Sequence, residues 1–241
     1  MSVRAGVASL VAWSALAGCH DDGWLQYPWD DRTILCSVSV DDISQHAAWG
    51  EITTELERAR DHESVALMHA HGPGLTITTG AIERLFNLAD DNGLAYVTYP
   101  ELVPTGTPRA GLALGFDDNA IDQWYEMRPL FLARGARVTF FVTRFHSRTP
   151  EELAKLAELA ADGHAIEAHS VAHLNVRDYV RDNGLAAYLA EEALPSITRL
   201  RDAGYAPTSY AYPFGRDHAA ANTALLDHVS RIRVSPGVCP H

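Results

Sequence analysis

ALGFDDNAIDQW, residues 113–124, carries an apolar run into two adjacent aspartates and then passes into a helical pattern. An apolar segment of strand length that stops at a carboxylate pair and continues as a helix is the strand-to-helix junction of an α/β fold. The same rhythm extends upstream. TILCSVSV (33–40), SVALMH (64–69) and LAYVTY (94–99) read as strands. Between them, residues 48–61 place Trp49, Ile52, Leu56 and Ala59 on one helical face, and residues 79–93 form a helix with Thr79 as the expected N-cap and Asn92-Gly93 as the stop. Downstream, 121–135 reads as a helix kinked at Pro129, and 149–163 as a helix opened by a Thr149/Glu152 capping box. Residues 184–204 read as a helix broken at Pro195. Strands are expected over 136–143, 164–169, 208–213 and 231–234, with a helix over 219–229. Alternation of this regularity predicts a mostly parallel sheet, either a (β/α) barrel of seven or eight strands or a doubly wound open sheet. In both, chemistry gathers at the C-terminal ends of the strands. Asp117, Asp118, His69 and His169 all fall at such ends.

The composition excludes some functions. Among 241 residues, 31 acidic side chains outnumber 19 basic ones, and the formal net charge is −12. A nucleic-acid surface needs clustered Lys and Arg to neutralise phosphate, so no nucleic-acid partner is expected. No stretch approaches the roughly 20 apolar residues that cross a bilayer. The opening MSVRAGVASLVAWSALAGC carries one basic residue, Arg4, then a short apolar run and small residues. Leu16-Ala17-Gly18-Cys19 resembles a bacterial lipobox. Residues 1–18 are therefore expected to be a signal peptide of the lipoprotein type, with Cys19 lipidated; secretion without a lipid is the alternative. Residues 19–32 read as an acidic, aromatic tether, and 33–241 as the functional domain. The expected location is outside the cytoplasm, anchored through the Cys19 lipid, in the outer membrane or facing the periplasm. Cys36 and Cys239 then form an even pair in an oxidising compartment, either bridged or free.

HSVAH (169–173) contains the second chemical signal. If the chain turns helical after His169, His169 and His173 stand one turn apart and can grip one ion. With one carboxylate of Asp117-Asp118 they make a three-ligand site with an open position. That site suits Zn2+ or another divalent transition metal. The second carboxylate could then act beside the ion as a base.

ALGFDD, HSVAH and YAYPFG together resemble the first three motifs of the polysaccharide deacetylases, the NodB-homology domain or carbohydrate esterase family 4. The resemblance covers roughly residues 33–241. It implies a distorted (β/α) barrel of seven or eight strands, with Asp117 as general base and Asp118, His169 and His173 as metal ligands. The family's last motif, Leu-x-His, supplies the general acid. Here it stands upstream of GFDD, with Leu67 and His69 matching, and this implies a circularly permuted chain like the deacetylases of poly-N-acetylglucosamine. His69 is then the expected acid, with His71 its competitor on the same strand face. Asp42 is the expected carboxylate beside the acid, with Asp41 the runner-up. The backbone N–H of Phe214 is the expected oxyanion donor. Tyr212, Phe214, Trp124 and the motif residue Leu67 are expected at the sugar or acetyl pocket. The permutation also brings the Cys36 and Cys239 regions together. One departure stands out: Ala211 occupies the place of the arginine that steadies the catalytic Asp, with Arg109, Arg144 or Arg216 as candidates to reach in. The implied reaction is metal-dependent removal of acetyl groups from an N-acetylated polysaccharide. An O-acetyl esterase and an inactive glycan-binding lipoprotein are the alternatives.

Overall fold

The computed structural model describes residues 25–43 and 47–235. Its central feature is a ring of parallel strands: β2 (Ile34–Cys36), β3 (Val38–Ser39), β4 (Val65–Ala70), β6 (Gly111–Asp118), β7 (Thr139–Val142), β8 (Ala165–Ala168), β9 (Ser209–Ala211) and β10 (Arg231–Val234). Neighbours run β4-β6-β7-β8-β9-β10-β2, and β3 pairs with β4. Ser37 alone separates β2 from β3, and its N–H donates to Val234 O at 3.0 Å. Residues 34–39 thus form one interrupted strand that lies on β10 through its first half and on β4 through its second, closing the ring. Counted so, the barrel has seven positions. Followed from β6, the ring keeps chain order to β10 and then passes to β2, β3 and β4. This is the neighbour relation that a circular permutation requires.

Two short strands flank the ring: β1 (Gln26–Tyr27), antiparallel to β4, and β5 (Ala95–Tyr96), parallel to the start of β6. β1 corrects the expected tether, at least over its described part. Gln26 donates to Glu55 Oε2 at 2.7 Å, and Tyr27 and Trp29 are buried within the barrel's inner cluster. The helices α1 (Trp49–His62), α2 (Thr79–Asp91), α3 (Ile121–Glu126), α4 (Arg128–Arg134), α5 (Pro150–Ala161), α6 (Val176–Asn183), α7 (Leu185–Tyr188), α8 (Leu194–Asp202) and α9 (Ala219–Leu225) alternate with the strands. No helix among the described residues is long and apolar enough to cross a membrane.

Several local readings hold and some shift. The capping box of α5 is present, with Thr149 N donating to Glu152 Oε2 at 2.7 Å and Glu152 N to Thr149 Oγ1 at 3.2 Å. The cap of α2 is Thr78 rather than Thr79, its hydroxyl accepting Ala81 N. Pro129 falls in the first turn of α4, where its missing N–H costs nothing, so the expected kink becomes a break between α3 and α4. The expected break at Pro195 is instead a π-turn, Leu189–Ala193, joining α7 to α8.

Alternation along the strands sorts the core into two clusters. Leu112, Leu114 and Phe116 face outward to the helices, where Trp124 stacks on Phe140 with ring centroids 5.0 Å apart. Each such buried side chain stabilises by about 1.5–3 kcal/mol. Ala113, Leu67, Leu35 and Phe141 face inward. The β8–β9 ladder is short, with Ala168 opposite Tyr210. The buried Glu167 carboxylate supplements it, accepting Thr208 N, Ser209 N and the Ser209 hydroxyl at 2.9, 2.6 and 2.8 Å.

Cys36 is disulfide-bonded. Cys19 and Cys239 lie outside the described residues, as do the signal segment and residues 19–24 of the expected tether.

Candidate active site

Asp117 points into the barrel, as alternation requires for a residue in step with Ala113 and Gly115. Asp118 should point outward, but its φ of 80° bends the strand end into the left-handed region. The bend turns the second carboxylate back over the mouth of the ring. A non-glycine residue held there is strained, and such strain gathers at functional sites.

HSVAH is not helical. Ser170 and His173 both have left-handed φ, 66° and 63°, and α6 begins only at Val176. The loop nonetheless brings both imidazoles to one point. His173 Nε2 lies 3.0 Å and His169 Nε2 3.5 Å from Asp118 Oδ1. Candidate ligand atoms of Asp118, His169 and His173 all lie within 4.8 Å of one another.

This cluster fits a metal ion on chemical grounds. His169 Nδ1 stands 2.8 Å from Ala211 O, so that nitrogen must carry the hydrogen and donate it. With Nδ1 so engaged, Nε2 is the ring nitrogen left to face the Asp118 oxygen. Asp118 Oδ1 is buried and has no hydrogen-bond partner. Two imidazole nitrogens and a buried carboxylate oxygen converging on one point are the donor set that a divalent cation takes. The separations of 3.0 and 3.5 Å match the roughly 3.3 Å edge of a tetrahedron with zinc bonds of about 2.0–2.1 Å.

Asp117 is buried and paired with Arg233, whose Nη2 donates to Asp117 Oδ2. None of Arg109, Arg144 and Arg216 fills this role. Arg233 lies on β10 directly opposite Ala211 on β9. The guanidinium therefore arrives from the neighbouring strand at the register level where the motif's arginine would stand. Gly115 helps to seat it. A Cβ there would come within 3.2 Å of the Phe141 ring, which packs against the guanidinium at 5.1 Å. Burial pushes the Asp117 pKa up, but the Arg233 guanidinium, more than any other neighbour, holds it below the usual carboxylate range. Alternation puts Arg231 and Arg233 of RIRV on one strand face, and strand pairing makes that face the barrel interior.

The structure does not bring His69 and Asp42 together. His69 lies deep in the barrel, its Nδ1 2.8 Å from Ser37 Oγ. Burial and the nearby Arg233 charge push its pKa down to about 3. Asp42 instead accepts Thr78 N at 2.7 Å, at the entry to α2. The histidine with a carboxylate is His71, whose Nδ1 lies 2.5 Å from Asp41 Oδ2. Asp41 is fully buried and also accepts His71 N and the Thr76 hydroxyl, at 3.1 and 2.7 Å. Burial works against charge on His71, yet the Asp41 hydrogen bond and the nearby carboxylates raise its pKa to about 9.

The expected pocket residues divide. Phe214 is 61% exposed, has φ 59°, and its ring lies 4.7 Å from that of His173. Tyr212 is buried in the outer cluster against Tyr188 and Tyr210, on the wrong face of β9 to meet a ligand. Leu67 is buried in the inner cluster, two residues below His69. Trp124 is also buried, but its indole N–H donates to His71 O at 2.8 Å and so fixes the main chain at the candidate acid.

A parallel barrel thus gathers, at its strand ends, an Asp-His-His cluster with the donor set of a metal site beside a buried Asp-Arg pair. The polysaccharide deacetylase family model matches residues 105–231, and the chain belongs to that family. The fold is similar to that of a de-N-acetylase from Aggregatibacter actinomycetemcomitans, with TM-score 0.54, 16% identity, and 83% of this chain and 85% of that one covered. It is also similar to the BpsB deacetylase domain from Bordetella bronchiseptica, with TM-score 0.51, 16% identity and coverages of 64% and 83%. IcaB from Ammonifex degensii matches with TM-score 0.48, 14% identity and coverages of 85% and 93%. No curated protein matches the sequence.

Proposed function

We propose that the chain is a metal-dependent deacetylase acting on an N-acetylated polysaccharide of the poly-N-acetylglucosamine, chitin or peptidoglycan kind. The observation that carries this reading is the convergence of Asp118, His169 and His173 beside the buried Asp117. A divalent ion such as Zn2+ held by those three side chains would supply a Lewis acid for the acetyl carbonyl and the attacking water. Asp117, kept ionised by Arg233, accepts the water's proton. His71, kept charged by Asp41, gives a proton to the departing nitrogen. The Phe214 N–H is the proposed donor to the developing oxyanion, and its exposed ring a surface for the sugar.

The His71–Asp41 pair favours N-acetyl over O-acetyl substrates. An amine leaves only when its nitrogen is protonated, whereas an alkoxide has less need of a strong acid. The inactive-lipoprotein reading rested on the missing motif arginine, and Arg233 removes that motive. Export and a lipid on Cys19 remain part of the proposal, on the strength of LAGC alone.

The test is metal analysis of the purified protein with an acetate-release screen over N- and O-acetylated glycans. Zinc near one equivalent, acetate from a chitooligosaccharide, and loss of both on chelation are expected. Acetate release that survives complete metal removal would refute the metal role.

Arg233 gives a separate prediction. Arg233→Ala leaves a carboxylate buried without its cation, and the chain should lose about 3–5 kcal/mol of stability. Asp117's pKa should rise as burial loses its main opponent, so the acidic limb of the rate profile moves to higher pH. Adding Ala211→Arg to that variant returns a guanidinium to the same level of the barrel and should restore much of both. Urea unfolding and the pH profile of acetate release read the two effects. An unchanged acidic limb in Arg233→Ala would separate Arg233 from Asp117's ionisation.

A further inference from the structure

The loop Ser170–His173 holds a left-handed residue at each end, and something must fix it there. Two anchors outside the ligand set do so. Thr143, just past β7, donates its N–H to Asp118 O at 2.9 Å and its hydroxyl to Ser170 O at 3.3 Å. The second anchor is Glu192, in the π-turn between α7 and α8. Its carboxylate accepts Ala172 N at 2.9 Å, and its main-chain carbonyl accepts Val171 N at 3.1 Å. Ser170 Oγ accepts His173 N at 2.9 Å. Three consecutive N–H groups of the loop are thus satisfied, two of them by one residue.

The π-turn makes this possible. A regular helix through 185–202 would consume Glu192's carbonyl in its own ladder. The wider turn, with Pro195 lacking an N–H, loosens that ladder where the loop approaches. It also rotates Glu192 toward the loop while Tyr188 on one side and Ile197 and Leu200 on the other stay in the core. Glu192 is only 4% exposed, a buried carboxylate that a merely structural helix has no reason to carry.

We propose that Glu192 is a positioning residue: through the π-turn it locks the 170–173 loop in the conformation that delivers His173 to Asp118 and His169, and so sets the affinity of the site for a divalent ion. This rests on the metal reading above. Residues that orient ligands in this way typically contribute about 10–100-fold in metal affinity.

The test uses zinc binding to the full chain by competition with a chromophoric chelator, alongside the melting temperature of the metal-free protein. Glu192→Gln keeps an acceptor oxygen for Ala172 N and should bind zinc within about threefold of the parent. Glu192→Ala removes the acceptor, and Glu192→Asp keeps the charge but shortens the reach; both should weaken binding about 10–100-fold. If Glu192→Ala folds poorly, Glu192→Asp and Glu192→Gln carry the comparison. Parental affinity in Glu192→Asp or Glu192→Ala would overturn the assignment, as would equal losses in Glu192→Gln and Glu192→Asp. A parental chain that takes up no zinc would instead overturn the metal reading itself, and the two failures are told apart by that first titration.

Discussion

Asp117→Asn is expected to lower acetate release from a chitooligosaccharide by about 10²–10⁴-fold, the range over which a positioned general base acts. The amide keeps the shape of the carboxylate and cannot take a proton. Asp118, His169 and His173 are untouched, so zinc uptake should stay at the parental level. The substitution leaves Arg233 facing a neutral partner inside the barrel. A fall in stability is therefore expected along with the loss of rate, and the rate should be measured well below the melting temperature. A zinc-loaded Asn variant that keeps the parental rate would remove Asp117 from the chemistry.

His71→Ala is expected to cost a similar 10²–10⁴-fold, with the loss greatest on amide substrates and smallest on activated esters that need no acid. The pH dependence separates His71 from His69. A donor is active while protonated, and the His71 pKa stands at about 9, so kcat/KM should hold through neutral pH and fall as pH rises through about 9. Asp41→Asn withdraws the hydrogen bond and charge that raise that pKa, so the basic limb should move to lower pH. Stability carries the same sign. His71 has a folded pKa raised above its ordinary 6.5, so its contribution is full below about 6.5 and is lost as pH rises through about 9. His69, at about 3, is neutral through this window and adds no limb there. A basic limb unmoved by Asp41→Asn, or a His71→Ala variant with parental rates on amides, would return the acid to His69.

The strand-helix rhythm made the barrel legible, and the motif spacing picked out Asp117 and the side chains of Asp118, His169 and His173, which the fold brings together. What escaped the sequence did so for local reasons. Alternation placed both His69 and His71 on the inner face, but depth along that face decides ionisation, and depth depends on how neighbouring strands are staggered. Asp41 and Asp42 are adjacent, and only the chain's turn after β3 sends one inward and the other to the start of α2. Arg233 was hidden because a side chain on the next strand can do the work of one that is missing, and register is a property of pairing. Spacing alone does not tell the HSVAH loop from a helical turn, because its left-handed residues are not glycines. Gln26 and Tyr27 sat in a stretch without period, since a two-residue strand is too short to show one.

The interrupted strand that closes the ring has a consequence for biosynthesis. His71 and Asp41 come from the first third of the sequence, Asp118, His169 and His173 from the middle, and the guanidinium paired with Asp117 from β10. Ile34 can find its parallel neighbour Ile232 only when nearly all of the described chain has been made. Such distant pairing is slow to form. A truncated molecule without β10 lacks the seam, and its Asp117 has no Arg233 beside it. Asp117 therefore gains its cation only once the wall of the barrel is complete.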